Sequence, residues 1–174
     1  MSLFFTSDCH FYHKNIIQYT TRPFVSIEEM NETLINNWND KVKNRKDEIY
    51  ILGDFAFAKG LIVNDLLKKL NGKKYLIIGN HDRFLKDKEL NTSLFEWIKD
   101  YYSLRYNKMN IVLFHYPMET WERKHYGSIC LHGHVHNSKI NEVQNRFNVG
   151  VDVNNFTPVS LKEILERNEL ICQD

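Results

Sequence analysis

Five short apolar runs punctuate the chain: Leu3-Phe4-Phe5, Ile49-Tyr50-Ile51-Leu52, Tyr75-Leu76-Ile77-Ile78, Ile111-Val112-Leu113-Phe114 and Ile129-Cys130-Leu131. They are rich in β-branched and aromatic side chains, and each ends in a polar cluster. That is the pattern of strands buried on both faces. Between them the spacing changes to that of helices. Ser26-Ile27-Glu28-Glu29 is a capping box opening a segment to about Val42, with Met30, Leu34 and Trp38 along one face. Leu61 to Leu70 reads as a second helix, stopped near Asn71-Gly72. Ser160-Leu161-Lys162-Glu163 is another capping box and opens a helix to about Asn168. Trp97 to Leu113 reads as adjacent antiparallel strands, and Phe147 to Val153 as another such stretch. Strands alternating with helices predict an α/β fold. No repeat, low-complexity tract or Pro/Gly-rich linker interrupts the 174 residues, so one domain over 1–174 is expected.

Composition narrows the partners. At 43% hydrophobic the chain can build a core without disulfides. Lys+Arg (23) and Asp+Glu (22) nearly cancel, so no global basic field points to nucleic acid or an anionic membrane. No apolar run approaches the ~20 residues that span a bilayer, and Met1 to Phe5 lacks the basic and long apolar regions of a secretory leader. Three cysteines, Cys9, Cys130 and Cys172, show no CxxC spacing. That fits a reducing cytosol, and a cytoplasmic location is the expectation.

The residues directly after each run are more informative. Asp8-Cys9-His10 comes after the first, Gly53-Asp54 after the second, Gly79-Asn80-His81-Asp82 after the third, His115 after the fourth and His132-Gly133-His134-Val135-His136 after the fifth. In α/β sheets ligands bind beyond the carboxyl ends of the strands. If the five strands are neighbours, their clusters converge on one crevice. Taken singly, Gly-Asp is a turn, His-x-His a surface pair and His115 a satisfied core histidine. Together they form a set of oxygen and imidazole ligands suited to Mn²⁺, Fe or Zn²⁺. Seven of them, Asp8, His10, Asp54, Asn80, His115, His134 and His136, exceed what one tetrahedral ion takes, and a bridging carboxylate suits two. Gly53, Gly79 and Gly133 directly precede ligands, where a small residue lets the backbone come close.

Asp8-x-His10, Gly53-Asp54, Gly79-Asn80-His81-Asp82, His115 and Gly133-His134-Val135-His136 stand in the order found in calcineurin-like metallophosphoesterases, and the chain resembles that family from residue 8 to 136. The resemblance implies a four-layer α/β/β/α sandwich of two mixed β-sheets flanked by helices. It implies one metal on Asp8, His10, Asp54 and His136. The second is implied on Asp54, Asn80, His115 and His134, with Asp54 bridging. His81 is implied to approach the substrate. The stretch from His10 to Asp54 is longer than in many members, and the chain looks like the small bacterial and phage-type ones.

The reaction expected is hydrolysis of a phosphate ester by a hydroxide held between two divalent ions, Mn²⁺ foremost, with Fe, Zn²⁺, Ni²⁺ or Mg²⁺ as alternatives. His81 is expected to donate a proton to the leaving oxygen. Asp82 is read either as the carboxylate orienting His81 or as a helix N-cap. Arg22 is read as a phosphate grip or as a surface arginine before a proline turn, and His13 as a residue reaching the cleft. His132 and Cys9 are expected to point away. Arg22, Arg83 and Lys14 are the cations beside the ligand loops, and Phe11, Tyr12 and Phe24 could form an apolar wall against a nucleoside or aryl group. Tyr116 and Trp121 also flank the loops. Few cations suit a small phosphodiester, nucleotide-derived esters among them. A phosphomonoesterase, a nuclease with the same site and a non-catalytic metal-binding scaffold are the alternatives.

Overall fold

The computed structural model describes residues 2–171; Cys172 lies outside the described residues. Nine strands and four α-helices succeed one another in order: β1 (Leu3–Thr6), α1 (Ile16–Tyr19), α2 (Ile27–Lys41), β2 (Glu48–Leu52), α3 (Gly60–Lys69), β3 (Lys73–Ile77), β4 (Trp97–Lys99), β5 (Tyr101–Tyr106), β6 (Met109–Phe114), β7 (Ile129–His132), β8 (Arg146–Asn148), β9 (Val159–Ser160) and α4 (Leu161–Ile171). All five apolar runs are strands, but they do not share one sheet. One sheet has the order β4-β3-β2-β1-β9 and the other β5-β6-β7-β8. In the first, β1 to β4 run parallel and β9 antiparallel; in the second, β5 opposes β6 while β6, β7 and β8 run parallel. Both sheets are mixed.

Alternation of side chains assigns the two faces of the first sheet. Phe4, Ile49, Ile51 and Leu76 point outward under Met30, Leu34 and Trp38 of α2 and Val63, Leu66 and Leu67 of α3. Leu3, Phe5, Tyr50, Leu52 and Ile77 point inward, against Ile111 and Leu113 of β6 and Ile129 and Leu131 of β7. Leu161 and Ile164 of α4 join that inter-sheet core. The outer face of the second sheet carries Val112 and Cys130 beneath Trp121, on a loop ending in a 3-10 turn at Lys124–Tyr126. Two mixed sheets flanked by helices is the architecture expected from the sequence.

The helix starts are as local as the capping boxes imply. Ser26 Oγ accepts from the Glu29 N–H (3.1 Å), while Glu29 accepts from the N–H of Val25 (2.8 Å). Ser160 and Glu163 make the reciprocal pair, 3.3 Å and 2.8 Å.

Two expectations are corrected. Trp97 to Leu113 is not one antiparallel unit: β4 pairs in parallel with β3, and only β5 and β6 form a hairpin. Lys99 closes β4 and Tyr101 opens β5, so the chain changes sheets at Asp100. Phe147 to Val153 is not a long strand either. β8 ends at Asn148, and Val151–Val153 is a 3-10 turn, because Asn154 ties back to the carbonyls of Asn148 (3.2 Å) and Gly150 (2.8 Å). Among the described residues no helix is long and apolar enough to cross a membrane.

Candidate metal centre

The loops after β1 and β2 zip together beyond the sheet. Backbone N–H groups of Asp8, His10 and Phe11 donate to the carbonyls of Gly53 (3.0 Å), Asp54 (2.9 Å) and Phe55 (3.0 Å). The loop after β7 joins through Gly133 N–H to His115 O (3.0 Å) and through His134 N–H to both carboxylate oxygens of Asp8 (3.1 and 2.9 Å). The crevice therefore lies across the carboxyl ends of two facing sheets, not along one open sheet.

Close approach explains two of the glycines. A Cβ on Gly133 would fall on Ser7 Oγ and Asp8 Oδ2, and one on Gly79 on the N and Oδ1 of Asp54. The candidate ligand residues themselves carry backbone strain. Asp8 (φ 55°), His10 (50°), Asp54 (54°), His134 (71°) and His136 (49°) all sit in the left-handed region. Each such residue costs of order 1–3 kcal/mol and persists only where its surroundings hold it.

Two clusters result, Asp8 with His10 and His136, and Asp54 with His115 and His134; within each, one ligand atom per residue lies within 4.8 Å of the others. Asp54 Oδ2 lies 3.6 Å from His10 Nε2 and 3.5 Å from His115 Nε2, so one carboxylate oxygen stands between the clusters. Asn80 Oδ1 is 3.0 Å from both His115 Nε2 and His134 Nδ1.

Acceptor-only partners fix the proton positions. Leu52 O, 2.7 Å from His115 Nδ1, can only accept, so the proton sits on Nδ1 and Nε2 faces the crevice. Asp152 does the same for His136, 2.8 Å from its Nδ1. His10 Nε2 is buried without a hydrogen-bond partner among the described residues. An orphaned buried imidazole nitrogen 3.6 Å from the Asp54 carboxylate, in a residue clustered with Asp8 and His136, is what a divalent cation would satisfy. The donor set fits the ion type expected.

Burial governs the electrostatics. It pushes the His10 imidazole down to about 3, keeping it neutral and ready to ligate. It also raises the Asp8 carboxyl. Burial would raise Asp54 too, but the neighbouring His115 and the hydrogen bond from the His81 backbone hold it at about 2. For His136, burial alone would lower the imidazole; the Asp152 hydrogen bond and the Asp8 charge raise it.

The family model for calcineurin-like phosphoesterases matches residues 1–157. The chain belongs to this family. The chain is 37% identical over 172 residues to an uncharacterized protein of Methanocaldococcus jannaschii, covering 94% of this chain and 89% of that one. It is 28% identical over 179 residues to the gene 66 protein of Mycobacterium phage D29, covering 87% and 88%. Among solved structures it is similar to a protein of unknown function from Aquifex aeolicus, with TM-score 0.75, 28% identity and coverage of 95% and 98%.

Other residues singled out in the sequence fall differently. His81 stands at the crevice, its N–H on Asp54 Oδ1 (2.7 Å) and its ring 5.6 Å from that of His10. His13 lies one step back, its Nδ1 3.1 Å from His10 Nδ1. Arg22 is no phosphate grip and no surface residue. It is buried, with Nε and Nη2 on Asp152 (2.8 and 2.9 Å), Nη2 on Asp8 O (2.7 Å), and Nη1 on Cys9 O (3.0 Å) and Met30 Sδ (3.4 Å). All five donors are spent inside the protein.

Asp82 neither orients the His81 ring nor caps a helix by its side chain. It accepts from the backbone N–H groups of Asp54 (3.0 Å), Phe55 (2.7 Å) and Gly79 (2.7 Å), bracing two ligand loops. The apolar wall is corrected as well. Phe11 is fully buried, Tyr12 packs on the core, and Phe24 lies edge-on to Phe156 at 4.8 Å. Cys9 and His132 are buried. Trp121 is buried over the second sheet, and Tyr116 stays partly exposed, edge-on to His134 at 4.6 Å. Asp152 went unnoticed in the sequence; its signal was a lone acid within the apolar run Val149 to Val153.

Proposed function

We propose that this chain is a dinuclear metal-dependent phosphoesterase whose preferred substrate is a small phosphodiester. The observation that carries the reading is Asp54 Oδ2 standing between the orphaned His10 Nε2 and His115 Nε2, with a ligand triad on either side. Asp8, His10, Asp54 and His136 would hold one ion, and Asp54, Asn80, His115 and His134 the other. Two bound divalent ions supply the positive charge that activates water and offsets charge on the phosphoryl oxygens. The mixed carboxylate, amide and imidazole donors suit Mn²⁺, Fe or Zn²⁺, and manganese is the ion expected foremost.

The chain's own residues do the rest. His81, fixed by its backbone on Asp54, protonates the leaving oxygen. Asp152 holds the proton on His136 Nδ1 and keeps Nε2 turned to the crevice. Arg22 clamps Asp152 and, through the Asp8 and Cys9 carbonyls, the strained β1 loop. Asp82 fixes the loops bearing Asp54 and Asn80. With Arg22 consumed, the other cations beside the ligand loops, Lys14 and Arg83, are exposed. A dianionic monoester therefore has no buried arginine to grip it, which favours the singly charged diester.

The test is hydrolysis of bis-nitrophenyl phosphate and nitrophenyl phosphate with Mn²⁺ and with Zn²⁺. The expected result is chelator-sensitive turnover with the higher kcat/KM for the diester. A clear monoester preference overturns the substrate assignment. Absence of metal-dependent hydrolysis of either ester overturns the enzyme.

A further inference from the structure

At His81 the crevice adjoins a cleft of ≈ 340 Å³ whose walls include Phe57, Lys59, Arg83, Phe84 and Asp87. That volume falls in the range of small-ligand sites, about 300–1,000 Å³. Phe57 is 44% exposed there, although Phe84 beside it is buried. A single exposed phenylalanine is ordinary; this one is held in place. Its backbone N–H donates to Phe11 O (2.8 Å), and the His13 ring stacks on it at 4.6 Å and 18°. His13 in turn bonds His10, so a file of rings, His10, His13 and Phe57, leads from the candidate metal centre into the cleft.

The rim adds charge. Lys59 and Arg83 are exposed and, among the described residues, neither is ion-paired. One face of Phe57 is covered by His13; the exposed ring, in a cleft that also holds Lys59, Arg83 and the Asp87 carboxylate and shares His81 with the candidate phosphate-handling centre, complements one ligand chemistry, an aromatic base attached to phosphate. An aliphatic ester would leave the ring uncovered, and a cleft this small admits no folded protein partner.

We propose that this cleft is a nucleobase subsite. It stacks the base of a nucleotide ester on Phe57, with the ester phosphate at the metal centre and Lys59 and Arg83 offsetting the nucleotide's negative charge. Its role in turnover rests on the phosphoesterase reading; its binding of a base does not. Phe57 is thus the specificity-determining residue that the sequence left unmarked.

Calorimetric titration of the Mn²⁺-loaded protein with AMP and with ribose 5-phosphate reads the subsite without requiring turnover. AMP should bind about 5- to 100-fold more tightly than ribose 5-phosphate, the size of one base–aromatic stack. Phe57→Leu keeps apolar bulk but loses the flat ring, and the AMP preference should fall to near unity. Phe57→Trp should retain it. Equal affinities in the wild type, absence of AMP binding, or a preference unchanged in Phe57→Leu overturns the subsite. Hydrolysis of nitrophenyl esters without any AMP preference leaves the enzyme reading standing and removes the subsite. A Phe57-dependent AMP preference without hydrolysis of any ester does the reverse.

Discussion

The two ends of the sheets are built on different principles. At the carboxyl ends, five candidate ligand residues hold left-handed backbone, and two glycines are pressed against carboxylates. Buried Arg22 and Asp152 are bonded across 130 positions of sequence there. At the amino ends, the structure is ordinary. Ser160 caps α4, Glu163 reaches back to it, and Lys41 at the end of α2 pairs with Glu163 at 2.6 Å. Strain is concentrated where ligands converge, and regular caps and packing hold the rest. Substitutions at the carboxyl end should therefore cost metal and turnover, and those at the amino end stability alone.

The sharpest break in that contrast is Asp54→Ala. Its carboxylate stands between the two triads, so the variant should lose both ions and essentially all turnover while the amino-end caps keep it folded. Metal analysis of wild type and variant decides it; two ions retained by the variant would remove Asp54 from its bridging place. His81→Ala should act on chemistry alone. It is expected to lower kcat about 10²–10⁴-fold with both ions still bound, as loss of a general acid does. The measurement needs a poor, alkyl leaving group, since nitrophenolate departs without a proton. Unchanged kcat with the alkyl ester would refute the acid.

Asp152 ranks next. Burial alone would raise its carboxyl, yet the His136 and Arg22 hydrogen bonds hold it at about 2. Asp152→Asn removes the charge behind His136 but keeps the shape. It should weaken the ion of the Asp8–His10–His136 triad about 10- to 100-fold, the usual cost of losing a carboxylate behind a ligating histidine, and leave the Asp54–His115–His134 triad nearly as it was. Competitive titration with a metal indicator resolves the two sites. Equal weakening of both would show that the Arg22–Asp152 pair braces the whole loop set instead.

These residues also mark how far the sequence can be read. The convergence of Asp8, His10, Asp54, Asn80, His115, His134 and His136 was legible because each comes after an apolar run, and a parallel strand delivers its last residue to the same end of a sheet. Arg22, Asp82 and Asp152 were misread or missed because most of their partners lie far away in sequence. A guanidinium between two carbonyls and a distant carboxylate leaves no local pattern. Phe57 was missed because aromatic residues after strands are ordinarily core, as neighbouring Phe55 is. The sheet partition escaped for a related reason: a single residue, Asp100, separates β4 from β5, and nothing in its type says that the chain changes sheets there. The capping boxes at Ser26 and Ser160 needed no such knowledge, since their partners lie three residues on.

The smallest effect belongs to the amino end and carries a sign. Burial would raise the Glu163 carboxyl, but the Lys41 and Ser160 hydrogen bonds and the Lys41 charge hold it down at about 2, against 4.5 for a free glutamate. A carboxylate depressed in the folded state stabilises fully above its unfolded value and loses that contribution as pH falls through its folded value. The window is therefore between about pH 4.5 and pH 2. Glu163→Gln should lower stability at pH 6 by about 0.2–1 kcal/mol, because the Lys41 pair is partly exposed and solvent-screened. The gap to wild type should shrink as urea unfolding is repeated from pH 4.5 downward. Metal content and turnover at pH 7 should not change. A gap that stays constant from pH 6 to pH 3 would show that the cap bond, not the Glu163 charge, supplies the stability. Loss of bound metal in Glu163→Gln would break the division between the two ends altogether.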